Sequence, residues 1–581
     1  MPGPQVRSCL SLTAKFLLIA CSAATSLSAQ ITPRTEVETI QGLVLNRLTR
    51  EPIARALVYS PDNRFGTMTD ARGRFAFEIP TNTQQASSDP GFVQRTIVPT
   101  GGPNRPYSLM ARKPGFLPME NDQQVQLSAG ENDVTLDVTL YLLPEAFIVG
   151  RVSLSNPEKI GLQLYRRQVQ DGRARWVPMK SAQTKSDGEF RFAELAPGAY
   201  KLFTQEFLDR DPLTFDPRGQ LYGYPPVYYP SANNFVDAGT INLEAGGTFH
   251  ANFSPERQEY YPVQVNVLNL PGAVGMEIEV SVAGQGAPGY SLGYNMEEQR
   301  IEGMLPNGTY TIEVSTFGQG AVSGIANITV AGAPAKGQSI ALVPNPSLSV
   351  KLSEEFTAVD PNNAQEHFGT ISSQVIVSDG GGRNRGRYVQ VSLEPADEFG
   401  RGQGASLRPP ASPEDESLVL ESVKPGRYWV RVDSPRGYAA SVSSGGVNLL
   451  QRPLVVATGA SAPPIELVMR DDGAQIEGKV EGMRSFVSSV SRSQQPAYGY
   501  LIPPPDSSGQ LRQFWISPDG SFVAQQIPPG EYRVLAFDRA QPQLEYRDEE
   551  TIRRYESKGP FVRLPPGQKD QLRLRLIAEA E

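Results

Sequence analysis

One pattern recurs along this chain and limits what it can fold into. A turn holding Asp and Gly leads into a short alternating strand with an aromatic residue, then a tight Pro-Gly turn, then a second alternating strand carrying Tyr. It appears five times, in whole or in part. The clearest copies run from Asp187-Gly188-Glu189-Phe190-Arg191-Phe192 to Pro197-Gly198-Ala199-Tyr200-Lys201-Leu202, and from Asp519-Gly520-Ser521-Phe522 to Pro529-Gly530-Glu531-Tyr532-Arg533-Val534. Two further copies keep the second half, Pro306-Asn307-Gly308-Thr309-Tyr310 and Pro425-Gly426-Arg427-Tyr428-Trp429-Val430. Gly supplies the backbone freedom of a tight turn, Pro fixes the approach to it, and period-two alternation buries one face of each strand. Phe and Tyr of the pattern are therefore expected in cores. Gly198, Gly308, Gly426 and Gly530 are separated by 110, 118 and 104 residues, the size of one β-sandwich domain. With 54 Gly and 50 Pro in 581 residues, a mostly helical chain is excluded.

The first repeat is the most specific. Gly42-Leu43-Val44 opens a strand, Glu51-Pro52-Ile53-Ala54-Arg55-Ala56-Leu57-Val58 a turn and strand, and Gly66 to Phe77, with Asp70 and Gly73 in its turn, a hairpin. These residues strongly resemble the carboxypeptidase regulatory-like family, transthyretin-like sandwiches that are non-catalytic appendages of metallocarboxypeptidases. The match covers Gly42 to Phe77 and resumes from Tyr107 to Phe116. Arg50 and Arg55 stand where that family usually has Gly, both in turns, and a polar, Pro-rich insertion fills Thr81 to Arg105.

The resulting expectation is an all-β chain of tandem antiparallel β-sandwich (transthyretin/immunoglobulin-like) domains in an elongated array. The expected units are a signal peptide at 1–29 and sandwiches at 39–144, 145–256, 257–346, 347–470 and 471–581. The first, second and fifth carry the family resemblance, the fifth from Ile476-Glu477-Gly478-Lys479-Val480 onward. Short linkers at Phe253 to Arg257, Pro344 to Pro346 and Arg470 to Gly473 predict a stiff rod. One short helix is expected, capped by Asp548 and running from Glu549 to Ser557, with Glu549 facing Arg553 and Glu550 facing Arg554.

Arg7 and Lys15 precede an apolar stretch from Phe16 that continues through small residues to Ala29, the layout of a secretory signal peptide. Cutting after Ala29 would start the mature chain at Gln30. The alternative cut, before Cys21 in Leu18-Ile19-Ala20-Cys21, resembles a lipoprotein box and would leave a lipid anchor on Cys21. Location follows as exported: secreted, periplasmic or outer-membrane-associated. Cys9 and Cys21 are the whole cysteine complement, so a chain starting at Gln30 forms no disulfide and each sandwich relies on its core. No later stretch matches the length of a transmembrane helix. Without Arg7 and Lys15 there are 52 basic against 62 acidic residues, a net charge of −10, which argues against nucleic acid as a partner.

Most site chemistry is missing. His250 and His367 fall in different expected domains, and no paired Cys or His-Glu-x-x-His spacing exists, so neither a zinc site nor a His-based nucleophile is expected. Resemblance to the appended sandwich implies no carboxypeptidase activity. Gly380-Gly381-Gly382-Arg383-Asn384-Arg385-Gly386 lacks the strand-to-helix setting of a phosphate loop and reads as a flexible basic loop. Asp187-Gly188 and Asp471-Asp472-Gly473 read as turns rather than calcium loops. No catalytic residue, metal or cofactor is expected.

The segment Tyr222-Gly223-Tyr224-Pro225-Pro226-Val227-Tyr228-Tyr229-Pro230 is the candidate ligand-binding site through Tyr222, Tyr224, Tyr228 and Tyr229. Aromatic faces held by Pro can stack on sugars or grip an extended peptide, and the same residues can also simply pack over the end of a sandwich. The function expected is a non-catalytic, exported cell-envelope or secreted binding and adhesion module, its partner a polysaccharide or an envelope protein. The alternatives are a spacer without a specific ligand and, after it, a carbohydrate-active enzyme.

Overall fold

The computed structural model of the chain describes residues 37–60, 66–80, 109–118, 136–154, 159–209, 220–357, 389–399, 404–483 and 497–578, apart from a few positions within them. The expected signal segment 1–29 with Cys21, the insertion from Thr81 to Arg105, His367 and the loop 380–386 lie outside the described residues.

The described chain is all-β apart from a single short helix. Five core clusters each draw on one continuous stretch, at 40–142, 146–253, 261–342, 348–469 and 474–574. The repeated signature explains why. Tyr200, Tyr310, Tyr428 and Tyr532 are all buried, and each hydroxyl donates to the carbonyl four residues upstream: Ala196 at 2.6 Å, Pro306 at 3.0 Å, Lys424 at 2.7 Å and Pro528 at 2.6 Å. The Pro-Gly turn brings the strand round so that the ring seals the core while its polar end ties down the turn that precedes it. This is the tyrosine corner of β-sandwiches, in four copies.

A second repeat emerges at Gly42, Gly150 and Gly478. A Cβ at each would lie within 2.0 Å of a carbonyl oxygen, that of Val138, Ala251 or Leu572 respectively, and within 3.1 Å of the ring of Phe75, Phe190 or Phe522. These aromatic residues follow the Asp-Gly turns of the signature. Glycine leaves room for the ring against the strand, which is why the two motifs travel together.

Most strand pairs are antiparallel, with one exception common to every stretch, an early strand paired in parallel with a late one, and a further parallel pair, Gly530–Phe537 with Lys569–Ile577, in the last stretch. The common exception joins Val37–Asn46 with Leu136–Pro144, Ala146–Arg151 with Thr248–His250, Gln258–Leu268 with Ala335–Ala341, Leu348–Glu355 with Ile465–Arg470, and Ala474–Glu481 with Lys569–Ile577. A parallel neighbour cannot be reached by a tight turn, so the chain between them crosses over and builds the rest of the fold. In the last stretch the strand Ala497–Ile502 pairs with both Arg512–Ile516 and Gly530–Phe537, which closes the sheet into a ring instead of two open layers.

Arg50 and Arg55, the two departures from the family glycines, have φ of 60° and 53°. The backbone there keeps the left-handed shape that glycine favours, at a cost of about 1–2 kcal/mol for each non-glycine residue. The helix spans Glu549–Arg553, and Asp548 caps it by accepting from the Thr551 N–H at 2.8 Å. Glu549–Arg553 and Glu550–Arg554 pair at 3.3 and 3.7 Å. Beyond Arg553 the chain continues towards Ser557 in i→i+3 turns, Tyr555 to Ile552 at 2.9 Å, Glu556 to Arg553 at 3.2 Å and Lys558 to Tyr555 at 3.0 Å, and not as α-helix.

The stiff-rod expectation meets a different arrangement. The second stretch touches not only its sequence neighbours but the fourth and fifth stretches, more than 200 residues further on. The array folds back on itself.

Candidate functional site

The four candidate tyrosines do not form an open platform. The strand Leu221–Tyr224 pairs with Gln258–Leu268, and alternation puts Tyr222 and Tyr224 on the same face, where each is covered by a different neighbour. Tyr222 is half-buried beneath the guanidinium of Arg257, 4.2 Å from the ring centre, and Arg257 is itself held by Asp209 at 2.7 Å. Tyr224 is buried against Phe207. Tyr228 is buried in a satellite core with Tyr165, Trp176, Phe203 and Phe235, and its hydroxyl donates to the Pro288 carbonyl. Tyr229 packs edge-on against Phe249 and Phe253 at 5.7 and 5.9 Å. The Pro-rich turn, which suggested display, instead folds the rings down over the end of the second core. Removing Tyr228 would open a cavity, not strip a surface.

What that segment does position is a junction. Glu206, just after the strand Gly198–Thr204, accepts the Ser291 N–H at 3.2 Å, so a residue of the second stretch grips the third. Its other oxygen and the hydroxyl of Tyr260 are sealed from solvent without a hydrogen-bond partner among the described residues. Burial pushes the carboxyl up to about 7 and raises Tyr260 as well, and Tyr290, against Tyr310, is raised to about 12 by the same cause. A carboxyl of this kind is neutral in acid and strained when ionised.

The fold-back contact is built on a hairpin. The strands Gly161–Gln170 and Arg173–Gln183 are joined by Asp171-Gly172, whose φ values of 49° and 70° make the two-residue turn that matches strand twist. The aromatic ring of Tyr546 lies 2.6 Å from where a Cβ on Gly172 would be, so this position tolerates only glycine on two separate grounds. The Asp171 carboxylate accepts from Tyr546 and, at 3.0 Å, from Arg547. Arg167 forms a two-pronged pair with Glu545, one arm at 2.8 Å. On the other side of the tip Arg173 stacks 3.5 Å above Trp429, Trp176 donates its backbone N–H to Glu398 at 2.7 Å, and Phe235 meets Phe399 edge-on at 5.0 Å. Burial lowers Arg173 to about 10, which reports how dry the stack is. Asp171-Gly172 is legible in sequence as a hairpin turn. Its docking site is not, because the partners lie hundreds of residues away.

Ligand-type chemistry is sparse elsewhere. Asp187 accepts the Glu189 N–H in its own turn, Asp472 is held by Arg470 and Tyr438, and Asp471 by Thr357. His250 is exposed at a strand end. Among the described residues no three His, Cys, Asp or Glu side chains come together as a metal site, and no helix is long and apolar enough to cross a membrane. One feature the sequence reading missed is Trp515, which stands 57% exposed on the outer face of the closed ring, 5.0 Å from Tyr498. Its signal was present in Arg512–Ile516: Phe514 and Ile516 claim the inner face, so alternation turns Trp515 outward.

No protein-family profile matches the chain, and no curated protein matches it. Among solved structures it is similar to the Bacillus anthracis TIE protein, at 12% identity over 53% of this chain and 51% of that one, with a TM-score of 0.15. It therefore spans about half the length of that protein. It is also similar to a streptococcal ancillary pilin, at 10% identity over 53% and 99% of the two chains with a TM-score of 0.16. A minor pilin of Streptococcus agalactiae matches at 14% identity over 41% and 100%, with the same TM-score of 0.16. These likenesses are too loose to carry function.

Proposed function

We propose that the chain is a non-catalytic exported binding module, acting at the cell envelope or outside it, whose partner is a polysaccharide or an envelope protein. The observation that carries this reading is the fold-back contact. A spacer works by holding its ends apart and gains nothing from a hairpin of its second unit docked on its fourth and fifth. A binder gains a fixed multi-domain surface, which lowers the ordering cost of engaging a large partner. Export through 1–29, with either a free Gln30 terminus or an acylated Cys21, places such a surface where polysaccharide is found.

The units proposed are 39–144, 145–256, 257–346, 347–470 and 471–581, sandwiches except for the last, whose single sheet closes into a ring, and the five cores fall within these ranges. The first, second and fifth are proposed as carboxypeptidase regulatory-like. Gly42, Gly150 and Gly478 beneath their Phe rings support this, as do the left-handed Arg50 and Arg55 at the family's glycine positions. The test is a pull-down with the tagged chain from cross-linked envelope extracts, read for both proteins and glycans. Recovery of one envelope complex or polysaccharide is expected. An empty pull-down from folded, exported protein would return the chain to the spacer reading.

A further inference from the structure

Trp515 does not stand alone. Register sets Tyr498 opposite Trp515 on one side. On the other, Val523 follows the Ile516–Phe522 pair, lies opposite Glu477, and Glu477 lies opposite Gln571. Five residues from five strands thus form one row across the outer face of the last stretch. Trp515 is 57% and Val523 54% exposed, and the Tyr498 ring is tilted 41° to that of Trp515. Neighbouring strands are roughly 5 Å apart, so the ring-and-methyl part of the row is about 10 Å long.

We propose that this row is a polysaccharide-binding site, with Trp515 and Tyr498 as the stacking surface, a claim that rests on the binding reading above. The partner's chemistry follows from the border of the row. Gln513 and Gln525 flank it, both exposed, and offer neutral amides that donate and accept. The first charges met beyond Val523 are Glu477 and Lys479, one of each sign, and Glu477 already accepts the Gln571 amide at 3.0 Å. The basic side chains Lys569 and Arg573 flank Gln571 at the far end of the row, two strands beyond Val523, so the stacking surface itself is bordered by neutral groups. An apolar protein anchor would have to cover the Glu477 carboxylate, which is costly to desolvate. A sugar ring suits both parts: its C–H face covers the exposed aromatic surface while its hydroxyls reach the surrounding amides. The other two tryptophans are occupied, Trp176 in the satellite core and Trp429 beneath Arg173.

The test is affinity electrophoresis of the full chain through gels containing soluble β-glucan, xylan, mannan or a polyuronate, with tryptophan fluorescence read alongside. Retardation by at least one neutral polysaccharide is expected, with a blue shift of the exposed tryptophan. Trp515→Ala should weaken it about tenfold or more, while Phe317→Ala, at an exposed aromatic residue of the third stretch, leaves it unchanged. Hydrogen exchange of the segment 497–537 should match between the wild type and Trp515→Ala, because the side chain lies outside the core. Equal retardation of Trp515→Ala and wild type would overturn the site and leave the binding reading intact. So would retardation by the polyuronate alone, or capture of an envelope protein with no neutral glycan retarding the chain. No glycan retardation together with an empty pull-down would overturn both.

Discussion

Tyr532→Phe tests the tyrosine corner, because the substitution keeps the ring and removes one atom. The Tyr532 hydroxyl donates to the Pro528 carbonyl at 2.6 Å and accepts the Gln510 N–H at 3.2 Å. Tyr428, its counterpart in the fourth stretch, donates to the Lys424 carbonyl at 2.7 Å. A neutral hydrogen bond contributes about 1 kcal/mol net, and a buried partner left unsatisfied costs about 1–3 kcal/mol. Losing two at a fully buried site should cost about 2–3 kcal/mol, against about 1 kcal/mol at Tyr428. A chain with several cores does not unfold in two states, so a single melting temperature cannot separate these losses. Hydrogen exchange read peptide by peptide can. Protection in 474–577 should fall about 30- to 140-fold in Tyr532→Phe, and about 5-fold in 348–469 for Tyr428→Phe. Equal losses from the two substitutions, or a loss spread evenly over all five stretches, would refute the reasoning.

Two further outcomes follow from the geometry. Glu206 is raised from 4.5 to about 7, so folding favours its neutral form; that stability is intact below about pH 4.5 and drains away as pH rises through 7. Glu206→Gln keeps an acceptor for Ser291 and should stabilise the junction at pH 8 by up to roughly 3 kcal/mol, with no gain at pH 4; a pH-independent difference in urea unfolding would contradict this. Arg55→Gly should stabilise the first stretch by about 1 kcal/mol, the left-handed strain relieved less the added freedom of the unfolded chain. Slower exchange of Ala56 and Thr69, whose groups bond across that turn, would register it, and faster exchange would contradict it.

The parts of the fold legible in sequence are those encoded within a few residues. Pro529-Gly530-Glu531-Tyr532 specifies its own turn, strand and buried ring, and Asp548 with Glu549 and Glu550 specifies a helix start. The helix end is not among them, because the residues after Arg553 continue in i→i+3 turns that the i, i+4 charge spacing does not distinguish from α-helix. The parallel pairing of early with late strands is not legible either, since alternation looks identical in parallel and antiparallel edges. Tyr222, Tyr224, Tyr228 and Tyr229 drew attention through composition, yet burial depends on what covers them, and Arg257, Phe207, Phe235 and Phe253 come from other elements. The outward direction of Trp515 is local, fixed by Phe514 and Ile516 on either side. The docking of Asp171-Gly172 on Tyr546 was beyond reach, because nothing local to either segment refers to the other.

Small-angle scattering of the whole chain, wild type beside Gly172→Val, tests the folded-back array most directly. Valine fits neither the left-handed turn nor the space filled by the Tyr546 ring. The wild type should show a maximum dimension well short of five units laid end to end, and Gly172→Val should lengthen it. A wild-type profile of a five-bead rod, unchanged by the substitution, would contradict the fold-back contact and with it the case for a binding surface over a spacer.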